Sequence, residues 1–340
     1  MGEDGKIGSQ VTLAEVARIA GVSLPTVSKV VNGRSDVSRV TRAKVERALE
    51  AHGYRRRPRN PARPALLELV FHELESIWAM ELVKGVEQVA RENHATVVLT
   101  VSGTRHAPGP EWLEGVLRRK PLGVVLVFST LPRDVRQRLR SAAVPFAVVD
   151  PAGDPDPDVP SVGSANWAGG LAATRHLTAR NHRRIAVITG PEDMLCSRAR
   201  LDGYRSAMAM ASLDVDPRLV RFGDFHVQGG FDHAMSLLDG PDRPTAIFAG
   251  SDLQALGVLE AARLRGLRVP EDLSVVGYDD VPLAQWSSPP LTTVHQPLRR
   301  MAEEASRMLF GPEESGRAAQ RIELATHLVE RQSTAPPSES

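Results

Sequence analysis

Seven short apolar runs, separated by longer amphipathic stretches, are the feature that most constrains the fold of this chain. A first set occupies residues 66–71, 96–101, 123–128 and 146–149, and a second set occupies 185–189, 246–249 and 273–276. Helical patterns lie between them, such as 79–92, 165–179, 198–211, 228–238 and 253–265. Runs that are apolar throughout are typical of parallel strands buried on both faces by crossover helices. The chain is therefore predicted to form two doubly wound α/β halves, whose strand C-termini meet at a shared cleft.

Residues 11–54 follow a different pattern, that of three short helices. Thr12 and Glu15 have the spacing of a capping box, which predicts that a helix begins at Leu13 and ends at Gly21. Ser23 and Ser38 are the predicted caps of a second and a third helix. The predicted core positions of these two helices are Val27, Val30, Val31, Val45, Ala48 and Leu49. Two short helices joined by a tight glycine turn indicate a helix-turn-helix.

The second helix leaves a distinct outer face, formed by Leu24, Pro25, Ser28 and Lys29. In DNA-binding helix-turn-helix domains this face enters the major groove. The spacing alone leaves open a helical hairpin that serves only for packing or for binding another protein.

Many residues of this segment, all in register, resemble the N-terminal signature of the lac repressor (LacI) family of bacterial transcription regulators. The matching residues are Thr12-Leu13, Val16-Ala17, Ala20 to Ser23, Thr26 to Ser28, Val30 to Gly33, Val37-Ser38, Thr41-Arg42 and Gly53-Tyr54. The resemblance continues to about Thr334, and it implies a fold like that of periplasmic sugar-binding proteins downstream. The DNA contacts it implies, together with the outer face, are Thr12, Ser23, Leu24, Pro25, Thr26, Ser28, Lys29, Asn32, Tyr54, Arg55 and Arg57.

The charge distribution agrees with one DNA-binding end. Residues 1–64 carry 13 Lys and Arg against 6 Asp and Glu, a net charge of +7, whereas the remaining residues carry 29 against 35, a net charge of −6. A basic head on an acidic body is expected if only the head meets phosphates.

The linker after Tyr54, RRRPRNPARPA, holds five arginines and three prolines. It is predicted to be an extended spacer, a basic arm along the DNA backbone, or both. The resemblance implies a hinge helix here that inserts a leucine into the minor groove. Pro61, Pro64 and the lack of a leucine between Tyr54 and Leu66 depart from that pattern.

These features predict the following domain limits. Residues 1–10 are disordered, 11–56 form the helix-turn-helix domain, 57–65 the hinge linker, 66–333 the ligand-binding domain, and 334–340 a tail, with Ser333 to Ser340 expected to be disordered. Within the ligand-binding domain, the first half is about 66–160 and 295–320, and the second about 161–294 and 321–333. The chain would cross between them near Pro160, near Leu291 to Pro297 and near Arg321. A helix at 297–310 would return to the first half, and 322–329 would be a last strand of the second.

Several classes of protein find no support in the sequence. There is no run of eighteen apolar residues, and MGEDGKIGSQ lacks the apolar core of a signal peptide, so we expect a cytoplasmic protein. A single cysteine, Cys196, allows no internal disulfide, and no Cys/His spacing predicts a metal. The motifs GxxxxGK[ST], GxGxxG, HExxH and GxSxG are absent. We therefore expect neither an enzyme nor a cofactor.

Candidate ligand contacts follow the predicted strands. A carboxylate accepts hydrogen bonds from hydroxyls, and a guanidinium offers a fixed fork of donors. From strand ends and from the resemblance, the candidates are Glu73, Trp78, Asp150, Asn166, Trp167, Arg200, Phe225, Ser251, Asp252 and Asp279. Ser251 stands where the family usually has asparagine.

Structural roles remain open for many of these candidates. Trp78 and Trp167 are alternatively packed aromatics, Arg200 a solvated side chain, and Asp150, Asn166 and Asp279 turn starters or caps.

The sequence thus predicts a homodimeric DNA-binding regulator, a repressor, that binds a pseudo-palindromic operator and responds to a small effector, a sugar or oligosaccharide. A purine or phosphorylated corepressor is the alternative within this class. A solute-binding protein of a transport system is the alternative from another class, against which the missing signal peptide and the helix-turn-helix argue. Whether the effector releases or promotes DNA binding stays open.

Overall fold

The computed structural model describes residues 12–31, 37–52, 65–74, 77–103, 107–310 and 320–338. Contacts divide the chain into two compact units, with the boundary between Pro64 and Ala65. The predictions for residues 1–10, and for nearly all of the linker, lie outside the described residues.

The N-terminal unit contains three helices: α1 (Leu13–Ala20), α2 (Leu24–Val31) and α3 (Arg39–Ala51). The predicted capping box is present, since the backbone N–H of Thr12 donates to Oε2 of Glu15 at 2.7 Å and that of Glu15 donates to Oγ1 of Thr12 at 3.3 Å. Gly21 ends α1 with a φ of +66°, a conformation that glycine adopts without steric cost. The buried core is Val16, Ala17, Val27, Val30, Val45 and Ala48. The predicted helix-turn-helix is therefore confirmed.

The second unit alternates strands and helices. Its strands are β1 (Leu66–Phe71), β2 (Thr96–Val101), β3 (Gly123–Val127), β4 (Phe146–Val149), β5 (Ser161–Ser164), β6 (Ile185–Thr189), β7 (Val220–Phe222), β8 (Ala246–Ala249), β9 (Ser274–Asp279), β10 (Thr292–His295), β11 (Arg321–Leu324) and β12 (His327–Val329). Its helices are α4 (Ile77–Glu92), α5 (Pro110–Arg119), α6 (Arg133–Ser141), α7 (Asn166–Thr178), α8 (Leu195–Met210), α9 (Val227–Leu237), α10 (Asp252–Leu264) and α11 (Leu298–Met308).

These strands form two six-stranded sheets. The first has the order β11-β5-β4-β3-β1-β2, and the second β12-β10-β9-β8-β6-β7. Neighbouring strands are parallel except for β10 and β12. The central strands β3, β4, β6 and β8 are buried along their whole length, because helices cover both faces of each sheet. The predicted pair of doubly wound halves is confirmed.

The positions of the chain crossings require a correction. Residues 161–164, predicted to open the second half, form β5, which pairs with β4 and β11 in the first sheet. The predicted last strand 322–329 is two strands: β11 belongs to the first sheet and β12 to the second. The crossings therefore fall between β5 and α7, between β10 and α11, and between β11 and β12. Each sheet recruits a late, short strand to cover its edge, and such pairing cannot be read from periodicity.

The C-terminal residues were also wrongly predicted to be disordered from Ser333. Ser333 is fully buried; its hydroxyl accepts a hydrogen bond from the N–H of Thr292 at 2.8 Å and donates to the carbonyl of Val275 at 2.6 Å. The N–H of Ala335 donates to Oγ of Ser274 at 3.0 Å. The tail is thus ordered at least to Ala335, because it satisfies backbone groups at the ends of β9 and β10.

Within the described residues, the helices are too short or too polar to cross a membrane.

Candidate functional site

A cavity of roughly 300 Å³ lies between the two halves of the second unit. Its walls come from residues at or just beyond the C-terminal ends of strands, as expected for doubly wound sheets. The first half contributes Phe71, His72, Glu73, Trp78, Ala79, Phe128 and Asp150, and the second half contributes Pro191, Met194, Cys196, Arg200, Asp224, Phe225, His226, Ser251, Leu253 and Asp279.

Arg200, on α8, is the centre of the cavity floor. Its Nε donates to Oδ1 of Asn166 at 2.8 Å, Nη1 to the carbonyl of Gly250 at 2.6 Å, and Nη2 to Oε1 of Gln296 at 3.2 Å. The guanidinium carbon lies 3.7 Å from the centre of the Tyr278 ring. A long side chain held by each of its nitrogens and by a ring face keeps one orientation, so the guanidinium is preorganised.

Two buried carboxyl groups flank this guanidinium. Oδ1 of Asp279 lies 3.9 Å from Nη1 of Arg200, and Oδ2 of Asp150 has no hydrogen-bond partner among the described residues. Burial raises the pKa of Asp150, and it raises the pKa of Asp279 well above its usual range; Arg200 opposes both effects. An unpartnered buried polar atom is costly unless a ligand supplies the missing bond. The floor is therefore suited to hydroxyl groups, which can donate to or accept from a carboxyl group.

Both carboxyl groups sit on unusual backbone. The φ angles of Asp150 and Asp279 are +48° and +108°. Such left-handed conformations in non-glycine residues store strain and are concentrated at functional sites. Each angle turns the chain sharply at the end of a strand, β4 or β9, at the edge that faces the cleft.

Aromatic rings form the walls. Trp78 and Phe128 stack with ring centres 4.9 Å apart and planes inclined by 8°. Phe225 belongs to the other half, and its ring packs so closely on Gly190 that a Cβ there would lie 2.0 Å from the ring. Flat aromatic faces on both halves can cover the C–H faces of a ring-shaped ligand.

Ser251, which stands where the family usually has asparagine, makes two hydrogen bonds of its own. Its hydroxyl donates to the carbonyl of Phe225 at 2.9 Å and accepts from the N–H of Gln254 at 3.1 Å. The side chain therefore caps α10 and fixes the loop that carries Phe225, which has a φ of +69°.

Three of the predicted ligand residues do not line the cavity. Asp252 is 1% exposed, and its carboxylate accepts from the N–H of Val281 at 2.8 Å and from the hydroxyl of Thr293, which ties α10 to β10. Trp167 is 45% exposed on α7 and is not among the residues that line the cavity. Asn166 is buried and holds Arg200. The structure does not support direct ligand contact for these residues.

The other candidates, Glu73, Trp78, Asp150, Arg200, Phe225, Ser251 and Asp279, are brought together in the cavity. Sequence reasoning missed Phe128, Gln296, His72 and His226. Phe128 could have been found as the residue that ends a buried strand, as Asp150 was. His226 lines the cavity, and Gln296 holds Arg200, only through contacts between distant segments. Across the described part of the chain, no cluster of His, Cys, Asp and Glu is arranged to hold a metal ion.

The DNA-facing candidates on α2 are placed as the helical spacing predicted. Leu24, Pro25 and Lys29 are exposed, with Leu24 at 48%. The hydroxyls of Ser23 and Thr26 lie 2.8 Å apart at the start of the helix, and Thr12 is engaged in its capping box. Ser28 is half-buried beside this face. Asn32, Tyr54, Arg55 and Arg57 lie outside the described residues.

A helix-turn-helix unit joined in one chain to a two-half cleft domain defines the class of ligand-responsive DNA-binding regulators. Residues 12–57 match the family model described as bacterial regulatory proteins, lacI family, and residues 174–334 match a periplasmic binding protein-like domain.

Known proteins show the same arrangement. The transcriptional regulator CelR of Thermobifida fusca is 38% identical over 340 residues (95% of this chain, 98% of CelR), and the ribose operon repressor of Escherichia coli K12 is 36% identical over 329 residues (94% and 98%). The solved CelR–cellobiose complex superposes with a TM-score of 0.71 at 36% identity (95% and 100%). The lac repressor dimer bound to operator and an anti-inducer superposes with a TM-score of 0.72 at 29% identity (96% and 100%). The chain belongs to the LacI family of bacterial transcriptional regulators.

Proposed function

We propose that this regulator is a repressor whose effector is an uncharged sugar or oligosaccharide bound in the cleft between the two halves. Sugar in the cleft favours one of two relative arrangements of the halves. The free energy of operator binding can then change by as much as the sugar's binding free energy differs between the two arrangements, typically about 1 to 3 kcal/mol.

The observation that carries this proposal is the composition of the cavity. Its floor offers two buried carboxyl groups beside a fixed guanidinium, and its walls offer aromatic faces on both halves. Hydroxyls on the edge of a sugar ring match the floor, and its C–H faces match the walls. The CelR relative was solved as a complex with cellobiose, which supports a saccharide as the class of effector.

The same floor disfavours a phosphorylated corepressor. Among the described residues that line the cavity, Arg200 is the one cation apart from the histidines, and each of its three nitrogens already donates to a protein acceptor. The two carboxyl groups beside it repel a phosphate when they are ionised and offer it no positive charge when they are protonated.

Further parts of the proposal concern assembly. One helix-turn-helix reads only a few base pairs, so a homodimer on a pseudo-palindromic operator in the cytoplasm is proposed. In this proposal, the exposed face of α2 reads the operator. The effector is bound directly by seven cavity residues: Glu73, Trp78, Asp150, Arg200, Phe225, Ser251 and Asp279. The protein has no catalytic activity, so the effector should be recovered unchanged after incubation.

The test is a thermal-shift screen of the full chain against D-ribose, D-glucose, cellobiose and cellotriose, with AMP, guanine and sugar phosphates as competing classes. A ligand that binds only the folded state raises the melting temperature. Any ligand found is then titrated into a gel-shift assay on an operator selected from random duplexes. A purine or phosphate that stabilises the protein while every neutral sugar fails would overturn the proposal.

A further inference from the structure

Glu73 and His226 link the two halves above the cavity. Glu73 follows β1 in the first half, and His226 precedes α9 in the second. Nε2 of His226 lies 3.1 Å from Oε1 of Glu73, and Nε2 of His72 lies 3.0 Å from the same oxygen. One carboxylate oxygen is therefore shared by an imidazole from each half.

Exposure locates this bridge at the mouth of the cavity. The Glu73 and His226 side chains are 41% and 33% exposed, whereas Arg200 and Asp279 on the floor are almost completely buried. The backbone orients the histidine as well, because Oδ1 of Asp224 accepts a hydrogen bond from the N–H of His226 at 2.9 Å.

A second link between the halves has different chemistry. The N–H of Leu195 donates to the carbonyl of Ala152 at 2.7 Å, and an apolar cluster of Ala152, Met194 and Cys196 packs around it. These contacts use backbone and buried carbon or sulfur atoms. Glu73 and His226 form the solvent-facing, polar link, which is the easier one to break.

We propose that Glu73 and His226 form a gate over the effector cleft, and that their bridge must separate before a ligand can enter or leave. The inference rests on the proposed function in that the gate covers the same cleft. A polar contact between two partly exposed side chains is weak, so the gate opens readily in thermal motion while favouring the closed arrangement. His72 shares the bridging oxygen and holds Glu73 in place when the gate is open.

The chain contains its own reporter of opening. Cys196 is the single cysteine, it is buried, and it lines the same cavity. Burial raises the pKa of its thiol to about 12. A water-soluble thiol reagent therefore reacts slowly while the cleft is closed, because the thiolate is the reactive form.

The experiment measures the rate of Cys196 modification by 5,5′-dithiobis(2-nitrobenzoate) in the full-length, ligand-free protein at constant pH. The variants are Glu73→Ala, His226→Ala and the double variant. His233→Ala, on the same helix α9, and Glu87→Ala, in a surface pair with Arg91, are matched controls. Melting curves confirm that each variant is folded.

We expect each single gate variant to react about two- to fivefold faster than wild type, the range that a weak, partly exposed pair supports. The double variant should react no faster than the faster single variant, because one bridge is lost in all three. The control variants should match wild type. Equal rates in wild type and gate variants, or effects of the two single variants that simply multiply, would overturn the gate.

Failure of this proposal is separable from failure of the proposed function, because the labelling experiment contains no ligand. If no sugar binds, but both single variants react faster than wild type and the double variant reacts no faster than they do, the gate stands and the effector class is wrong. If sugars bind and labelling is unchanged, the effector class stands and the gate is wrong.

Discussion

The Nε of Arg200 donates a 2.8 Å hydrogen bond to Oδ1 of Asn166, the residue at which the chain enters the second half. Asn166 also donates through Nδ2 to the carbonyl of Ser164, the last residue of β5 in the first sheet. One amide therefore joins the guanidinium of the cleft floor to the crossover between the two halves. The position of Arg200, the proposed ligand donor, is thus held by the segment that connects the two halves.

Replacing Asn166 by alanine should weaken effector binding. The change leaves a buried charged donor without its acceptor, which costs about 1 to 3 kcal/mol. Effector affinity measured by calorimetry should fall roughly tenfold or more, while operator binding without effector remains. Trp167→Ala is the matched control, because this neighbouring side chain is exposed and does not line the cavity. An equal loss in both variants would contradict the positioning role of Asn166.

Arg200→Lys and Asp279→Asn should give repressors that bind operator but no longer respond to the effector. Lysine cannot reproduce the three-nitrogen fork, and asparagine exchanges one acceptor for a donor. The expected loss of effector affinity is about 1 to 3 kcal/mol for each. Gel-shift titrations with and without effector measure the response, with melting curves as the control for folding. A wild-type response in both folded variants would place the cleft elsewhere.

Asp252→Asn should flatten the dependence of stability on pH. Burial raises the pKa of Asp252 from 3.8 to about 7. A carboxyl group whose pKa is higher in the folded than in the unfolded state favours folding when protonated. Its contribution is complete below about pH 4 and is lost as the pH rises through about 7. Asparagine has no such contribution to lose.

The measurement is the melting temperature of wild type and Asp252→Asn from pH 5 to 8. Wild type should lose stability relative to the variant as the pH rises. Asp150 and Asp279 act in the same direction and remain in the variant, so the slope is reduced and not abolished. Asp202→Asn, an exposed carboxylate on α8, should run parallel to wild type. Parallel curves for Asp252→Asn as well would refute the assignment.

Lys29→Ala should relax sequence specificity at one position of each half-site. Lys29 is exposed on the face of α2 that also carries Leu24. Losing a base contact costs about 1 to 3 kcal/mol on the preferred operator and little on others. Lys44→Ala is the comparison, because Lys44 is an exposed lysine on α3 and not on this face. Loss of a lysine that meets only phosphates weakens binding to all sequences alike and lowers the salt dependence. Binding to a panel of single-base operator variants separates the two, and a uniform loss for Lys29→Ala would reduce it to a phosphate contact.

The strands at the centre of each sheet could be predicted from the sequence because they are buried on both faces. The runs at 66–71, 146–149, 185–189 and 246–249 coincide with β1, β4, β6 and β8. The run at 96–101 coincides with β2, which is an edge strand and only partly buried. The short strands β5 and β11 escaped assignment to the first sheet. Their sequences, SVGS and RIEL, carry no continuous apolar run, and what defines them is pairing between segments about 160 residues apart.

The site was partly predictable because several of its residues lie at the ends of predicted strands. Asp150 and Asp279 follow strands, and the carboxyl ends of parallel strands meet at a cleft. Asp252 also begins a helix after a strand, but its side chain is bound by Thr293, 41 residues away. The Glu73–His226 bridge joins residues 153 positions apart. Strand ends can be read locally, whereas such partners depend on contacts between segments that are distant in the sequence.

The three crossings also set the order in which a growing chain can fold. The first sheet has four of its strands, β1 to β4, by Val149, yet it acquires α11 and β11 only when residues 298–308 and 321–324 have been made. By then the strands β6 to β10 of the second sheet have all been synthesised. On the ribosome, the first half is therefore completed only after most of the second half has been synthesised. One face of its sheet lacks α11 until then. Neither half corresponds to a continuous piece of the gene, so neither can be expressed alone by simple truncation.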